Sequence, residues 1–388
     1  MKFMHIGDLH IGKTVNECSM LEDQKYILGQ MLTIMEEEQV ETLLIAGDVY
    51  DRSVPSAEAV ELFDWFLTET TKKERKVCII SGNHDSGERL SFGKELLKKQ
   101  EVYVIGNIEQ SKEPAIFHDC YGSLLVWFLP FFRPAELKTV GKNMDLRDYN
   151  SAVQCLLEEM QLKKEERNLL LTHHFVINGG EGESIVCSDS EQRISVGGIE
   201  QVNYRLFDDF DYVALGHLHQ AQKVGRECVR YSGSPIKYSF SEEFHKKSVV
   251  VFEMKEKGEV DWKLVPLTPL RDLRRIEGRL EELLKKEVVS LENKEDYLGV
   301  VLTDEEEIFD AISRVRAVYP NVMQLTFKRE KRREFFMEQT VESVQEKSPL
   351  ELTKDFFARV LGEEPKIEYE EVIGQWIEEL LEKEVDKK

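Results

Sequence analysis

Five short stretches of this sequence hold side chains able to bind cations and move protons. They are Asp8-Leu9-His10, Gly47-Asp48-Val49-Tyr50-Asp51, Gly82-Asn83-His84-Asp85, His173-His174 and Gly216-His217-Leu218-His219. On an extended turn, residues two apart point the same way, so Asp8 and His10 can reach one point, as can His217 and His219. Taken singly, each stretch has a plainer reading. Asp8 can cap a turn, Asp48 and Asp51 can shape one, and His173 and His174 can be two satisfied histidines. Taken together, the plain readings fail. The chain has nine histidines. Five of them, His10, His84, His173, His217 and His219, sit just after apolar runs, as do Asp8, Asp48 and Asn83. Carboxylates and imidazoles gathered in one place, with one amide, need a compensating cation. Two divalent ions roughly 3.5–4 Å apart suit such a mixed oxygen and nitrogen set. With no thiolate among them, the donors favour Mn2+, Fe2+ or Mg2+ over structural zinc.

The apolar runs are residues 2–6, 42–46, 77–80, 169–171 and 212–215. Each is short and continuous, and each ends in a polar turn, as buried strands do. Between the early ones lie helical stretches. Ser56 is a good N-cap, Glu58 falls in the first turn, and Ala59, Leu62, Phe63, Phe66 and Leu67 share one face. Strand-helix alternation predicts an α/β layered domain, in which strand ends converge on one crevice. Further on, Gly179-Gly180, Gly197-Gly198 and Ser232-Gly233-Ser234-Pro235 mark loops. The stretches 248–254 and 260–265, joined through Lys257-Gly258, predict a hairpin. Near Thr268-Pro269 the texture becomes more charged, and a basic cluster follows at Lys328, Arg329, Lys331, Arg332 and Arg333. From Ser348 two apolar stripes predict helices: Leu352, Phe356, Phe357 and Val360, then Ile373, Trp376, Ile377, Leu380 and Leu381.

Composition narrows the function classes. The 388 residues suffice for two or three domains. No apolar run approaches the roughly 18 residues of a membrane helix, and the N-terminus has no signal-peptide pattern. The chain reads as cytoplasmic, with no membrane association. The six cysteines form no C-x-x-C pair and read as reduced, mostly buried thiols. Net charge is −22, which argues against simple adhesion to DNA phosphates. Residues 268–388 alone hold 21 basic and 30 acidic side chains, so the acidity is spread along the chain. A nucleic-acid substrate would need bound cations or a partner to supply attraction.

The ordered set Asp-x-His, Gly-Asp, Gly-Asn-His-Asp, His and Gly-His-x-His resembles the calcineurin-like metallophosphoesterases. Closer features are similar to the SbcD family within them, the nuclease subunits of bacterial SbcCD DNA-repair complexes. These features are Gly47 to Ser56 (GDVYDRSVPS), Ser195 to Ile199 (SVGGI), Asp211 to His219 (DYVALGHLH) and Tyr231 to Phe240 (YSGSPIKYSF). The likeness is strong over residues 1–265 and looser beyond. It implies a two-layered β-sandwich flanked by helices, a small α+β capping domain and C-terminal helices. The implied boundaries are 1–267 for the nuclease domain, 268–340 for the capping domain that shapes DNA access, and 345–388 for a helical segment.

The same likeness implies the ligand set. Asp8, His10, Asp48 and His219 would hold one metal. Asp48, Asn83, His173 and His217 would hold the second, with Asp48 bridging. His84 takes the place of the catalytic histidine, as proton donor or phosphate orienter, with Asp85 able to hold its ring. Of the neighbouring pair, His173 is the ligand and His174 structural. The implied activity is a Mn-dependent DNA nuclease, a 3′–5′ double-strand exonuclease and single-strand or hairpin endonuclease, working by two-metal hydroxide attack on the phosphodiester. The implied partners are an SbcC-type coiled-coil ATPase, bound through the helices of 345–388, DNA, and a second copy of the chain docked through helices near 57–70 and 88–100. Two other readings stand beside it. One is a phosphatase or cyclic-nucleotide phosphodiesterase on the same core; the other is a metal-bound scaffold that recruits an ATPase without cutting. The form Gly-Asn-His-Asp and the residues beyond the core speak against the first. The complete ligand set speaks against the second.

Overall fold

A computed structural model describes residues 1–138, 148–179, 185–189, 191, 201–291, 293–304 and 308–328. The turn at 195–199, the basic residues beyond Lys328 and the expected helices after Ser348 lie outside the described residues. The chain divides into two units, Met1–Phe327 and Lys328–Lys388, and the description below concerns the first.

In chain order the first half contributes β1 (Lys2–Ile6), α1 (Leu21–Glu37), β2 (Thr42–Ala46), α2 (Ala57–Thr71), β3 (Lys76–Ile80) and β4 (Val102–Ile105). Then come β5 (Ala115–Asp119), β6 (Gly122–Leu129), α3 (Tyr149–Glu159), β7 (Arg167–Thr172), β8 (Tyr212–Leu215), β9 (Gln222–Val224) and β10 (Arg226–Tyr231). The hairpin β11 (Ser248–Met254) and β12 (Val260–Pro266) follows, and last β13 (Leu273–Gly278), β14 (Tyr297–Leu302), α4 (Ala311–Arg316) and β15 (Val322–Phe327).

Two six-stranded sheets form the core. Their orders are β12-β11-β1-β2-β3-β4 and β9-β10-β8-β7-β6-β5. In the first, β1 to β4 run parallel and the β11–β12 hairpin closes one edge antiparallel. In the second, β6, β7, β8 and β10 are parallel. Side chains alternate across each strand, which sorts the apolar residues into three layers. Phe3, Leu44 and Ile80 meet Phe128, Leu171 and Tyr212 between the sheets. Met4, Ile6, Leu43 and Ile45 face Met31, Phe63 and Phe66 of α1 and α2. Leu170, Val213 and Leu215 pack on Val153 and Leu156 of α3. Strands β2 and β7 are buried end to end because both their faces are covered. This is the helix-flanked sandwich that the sequence likeness implied.

Helix α2 starts where Ser56 accepts a hydrogen bond from the Ala59 amide. Its predicted face is buried at Ala59, Leu62, Phe63 and Phe66, with Leu67 half-buried against the same core. Strands β13, β14 and β15 form a separate parallel sheet with its own core of Leu298, Val300, Leu302 and Val315. Charged contacts tie it to the sandwich. Arg271 reaches Glu22 at 2.6 Å and the buried Asp23 at 2.8 Å, and the Tyr297 hydroxyl donates to Asp23 at 2.7 Å.

The cysteines depart from expectation. All six are free, but only Cys78 is buried, on β3 between the sheets. Cys18, Cys155 and Cys228 are half-buried, and Cys120 and Cys187 are exposed. Cys120 lies in the turn between β5 and β6 and Cys187 in a loop, where no second layer covers them. Among the described residues no helix is long and apolar enough to cross a membrane.

Candidate metal centre

Strands β1, β2, β3, β7 and β8 all end at one edge of the sandwich, and the turns beyond them come from both sheets. Backbone bonds lock them together: the Asp8 amide donates to Gly47 O at 3.1 Å and the His10 amide to Asp48 O at 2.9 Å. The turns approach so closely that glycine is required. A Cβ at Gly216 would lie 1.8 Å from Ala46 O, and one at Gly82 would lie 2.1 Å from Asp48 Oδ1. Asp8, His10, Asp48 and His217 all have positive φ, between 44° and 106°. Such conformations are strained for residues with a Cβ and collect at functional sites.

These turns bring all seven expected ligand residues together. His10 Nε2 and His219 Nε2 are 3.2 Å apart. Asn83 Oδ1 lies 3.1 Å from both His173 Nε2 and His217 Nδ1. Asp48 Oδ2 stands between the two groups, 3.7 Å from His10 Nε2 and 3.4 Å from His173 Nε2. Three sets of donor atoms close enough to hold one ion overlap here: Asp8, His10 and His219; His10, Asp48 and His84; Asp8, Asp48 and His173.

Neighbouring groups aim the donors. The His173 Nδ1–H donates to Ala46 O at 2.6 Å, leaving Nε2 for a ligand. The His219 Nδ1–H donates to Glu242 Oε1 at 3.1 Å, again freeing Nε2. Asp8 accepts the His217 amide at 2.9 and 3.1 Å, and Asp48 Oδ1 accepts the His84 amide at 2.9 Å. His174 turns away into an aromatic cluster of Phe131, Phe132 and Tyr149, with Nδ1 3.0 Å from Thr172 Oγ1.

His84 is half-buried, and its ring stands 4.7 Å from that of His10. One expectation fails here: Asp85 does not hold the His84 ring. Its carboxylate accepts the backbone amides of Val49, Tyr50 and Gly82 at 3.1, 2.9 and 2.9 Å. The His84 Nδ1–H instead donates to the carbonyl of Asp51 at 2.9 Å. Adjacent residues on this turn point opposite ways, so Asp85 braces the turn of Asp48 while His84 faces the crevice.

Known proteins share this chain's motifs over most of its length. The sequence family described as calcineurin-like phosphoesterase matches residues 1–221, and the family described as type 5 capsule protein repressor C-terminal domain matches residues 269–360. The SbcD subunit of the SbcCD nuclease from Staphylococcus epidermidis is 35% identical over 329 residues, 84% of this chain and 85% of that one. Its namesake in Staphylococcus saprophyticus is 32% identical over the same length, 84% of each. The chain belongs to the SbcD family of calcineurin-like phosphoesterases. A dimetal phosphatase from Danio rerio aligns with 70% of this chain and 98% of its own at 12% identity, with a TM-score of 0.40, too distant to add to the argument.

The electrostatics of this SbcD-family chain ask for a cation. Burial raises the Asp8 carboxyl to about 7. Burial also opposes a charged ring at His173, but Asp48 outweighs it, and the ring is raised to about 9. The acidic donors thus draw positive charge into the centre, which a bound cation would supply. Burial lowers His217 to about 3 and His10 well below its usual value, so these rings are neutral, as ligands must be. The donor set, oxygen and imidazole with no thiolate, fits divalent metal ions.

The sequence motifs missed three residues around His219. Glu191 Oε1 accepts from its amide at 2.6 Å, Glu242 Oε1 accepts from its ring Nδ1–H at 3.1 Å, and the buried Lys247 donates to its carbonyl at 2.8 Å. Glu242 directly follows the stretch Tyr231 to Phe240 and Ser241, so an acidic residue next to a family-like segment was the available signal.

Proposed function

We propose that this chain is the metal-dependent nuclease subunit of an SbcCD-type complex, hydrolysing DNA phosphodiesters with two divalent ions. One observation carries the reading. Two groups of donors, one around His10 and His219 and one around Asn83, His173 and His217, flank a single carboxylate, Asp48. That arrangement suits a pair of ions with Asp8, His10, Asp48 and His219 on the first, and Asp48, Asn83, His173 and His217 on the second. The mixed oxygen and imidazole donors, with no thiolate, favour Mn2+, with Mg2+ or Fe2+ as substitutes.

When bound, the two cations neutralise phosphoryl oxygens and acidify a water for attack. The chain's residues do the rest. Asp48 would serve both positions, its Oδ2 lying between the two donor groups. Asp8 holds the His217 turn through its amide while offering a carboxylate. His84, with Nδ1–H held by Asp51 O, can present Nε2 to the departing alkoxide and give it a proton. His84 is half-buried, whereas Asp8, His10, Asp48, His173 and His219 are buried, which sets it nearer to solvent than those donors.

The family likeness supports further assignments. The β13–β15 sheet, within the 268–340 segment, would border the DNA path. Residues 345–388 would bind an SbcC-type coiled-coil ATPase. A homodimer would use α2 and the short helices Gly87–Leu90 and Lys94–Lys98, where Val60, Phe92 and Leu96 are 45%, 85% and 69% exposed. The setting would be the cytoplasm, at the nucleoid. The test is cleavage of end-labelled single-stranded, blunt duplex and hairpin DNA with Mn2+, beside a chelator control. Metal-dependent cutting supports the nuclease. Turnover of a small phosphomonoester with no DNA cutting would replace it with a phosphatase.

A further inference from the structure

The histidines of the centre are not held alike. His173 leans on a neutral backbone carbonyl, Ala46 O, at 2.6 Å. His219 leans on a carboxylate, Glu242, which is fully buried. Glu242 Oε1 accepts the His219 Nδ1–H at 3.1 Å, and Glu242 Oε2 accepts from the Lys247 ammonium. Lys247 is itself buried and donates to His219 O and Ser234 Oγ, both at 2.8 Å. A third ionisable side chain, Glu191, accepts from the His219 amide at 2.6 Å. One residue is therefore gripped at its ring, amide and carbonyl by three ionisable groups from elsewhere in the chain.

A carboxylate behind an imidazole fixes the tautomer and makes the opposite nitrogen a better donor. A carbonyl fixes the tautomer with less charge behind it. Burying Glu242 and Lys247 together is costly unless each is paired and hydrogen-bonded, and both are. The pair reaches the centre through His219, at both its ring and its carbonyl.

We propose that Glu242 is a positioning residue that acts through His219 to make the His10/His219 metal position the tighter of the two. Lys247 pairs with the buried Glu242 and offsets the cost of burying it, but does not itself act on the metal. The inference rests on the dinuclear reading above.

The test titrates Mn2+ into full-length, chelator-stripped protein, followed by calorimetry and by the electron paramagnetic resonance signal of free and spin-coupled Mn2+. Wild type should take up two ions with unequal affinities. Glu242→Gln keeps an acceptor for the ring proton but removes its charge. It should weaken the tighter position by about 10- to 100-fold, leave the weaker one unchanged, and delay the spin-coupled signal to higher Mn2+. Lys247→Met should lower the melting temperature of the metal-free protein yet retain the tighter position. The inference is overturned if Glu242→Gln titrates like wild type. It is equally overturned if both variants lose metal in proportion to lost melting temperature, since that pattern marks a structural role. Wild type taking up no pair of ions would instead sink the dinuclear reading, and this inference with it.

Discussion

His10 Nε2 and His219 Nε2 face each other at 3.2 Å across the junction of the two sheets. Two ring nitrogens at that distance either share a proton or point at one cation. Metal and proton therefore compete for the same space. Adding Mn2+ to the stripped protein should raise its melting temperature, by the equivalent of about 2.7 kcal/mol when Mn2+ is a hundredfold above its dissociation constant. His219→Ala should lose most of that gain. Differential scanning calorimetry with and without Mn2+ checks this, and an unshifted melting temperature in wild type would refute it.

On the proposed reading His84 acts on substrate through Nε2, its Nδ1 being already taken by Asp51 O. His84→Ala should slow phosphodiester cleavage by roughly 10²- to 10⁴-fold while both Mn2+ ions still bind. Cleavage rates set beside a Mn2+ titration decide it. Loss of one ion in the variant would move His84 into the ligand shell, where its grouping with His10 and Asp48 would make sense.

Gly216 has no room for a side chain, since a Cβ would meet Ala46 O at 1.8 Å and His173 Nδ1 at 2.7 Å. Gly216→Ala should cost about 1–3 kcal/mol or more and weaken Mn2+ binding through His173. Gly29, in α1, has nothing within 4 Å of its would-be Cβ. Gly29→Ala should be neutral or stabilising by about 0.5–1 kcal/mol. The urea midpoint should fall in Gly216→Ala and hold or rise in Gly29→Ala.

His5 gives a pH prediction away from the donor atoms. It is fully buried between the sheets, with Nδ1 accepting from the Tyr212 hydroxyl and Nε2–H donating to Leu215 O, each at 3.1 Å. Burial lowers its pKa from 6.5 to about 3. Below pH 6.5 the unfolded chain takes up a proton at this ring and the folded chain does not. Stability is therefore lost as pH falls from 6.5 towards 3, by up to about 1.4 kcal/mol per pH unit. In His5→Gln the stability difference between pH 7.5 and 5.5 should shrink by roughly 1 kcal/mol. An unchanged difference would show that the ring titrates normally.

The proposed role of the C-terminal segment has its own test. Deleting residues 345–388 should spare cleavage of a small phosphodiester and end co-purification with an SbcC-type ATPase. Retained co-purification would place the docking surface elsewhere.

The sequence was most readable where one strand ends in one chemical residue. Asp8, Asp48, Asn83, His173 and His217 each follow a short apolar run, and those runs are strands whose ends meet. It was least readable where a contact depends on tertiary placement. Glu242 lies 23 positions from His219, and no spacing rule joins them. Asp85 adjoins His84 in sequence, yet its carboxylate serves the turn of Asp48, because neighbours on an extended turn face opposite ways. Cys120 and Cys187 could not be told from buried thiols, since exposure is set by what other segments cover.

The donors come from turns on both sheets, and this orders the birth of the centre in time. On a ribosome, Asp8, His10, Asp48 and Asn83 emerge long before His217 and His219. Strand β1 must also wait for β11, its neighbour on the other side. A nascent chain interrupted before His217 lacks two of the seven donors, and one interrupted before β11 holds all seven on a sheet that lacks its edge. On the proposed reading, an unfinished copy is unable to cut the nucleic acid around it, and the blade is forged only with the last strands of the sandwich.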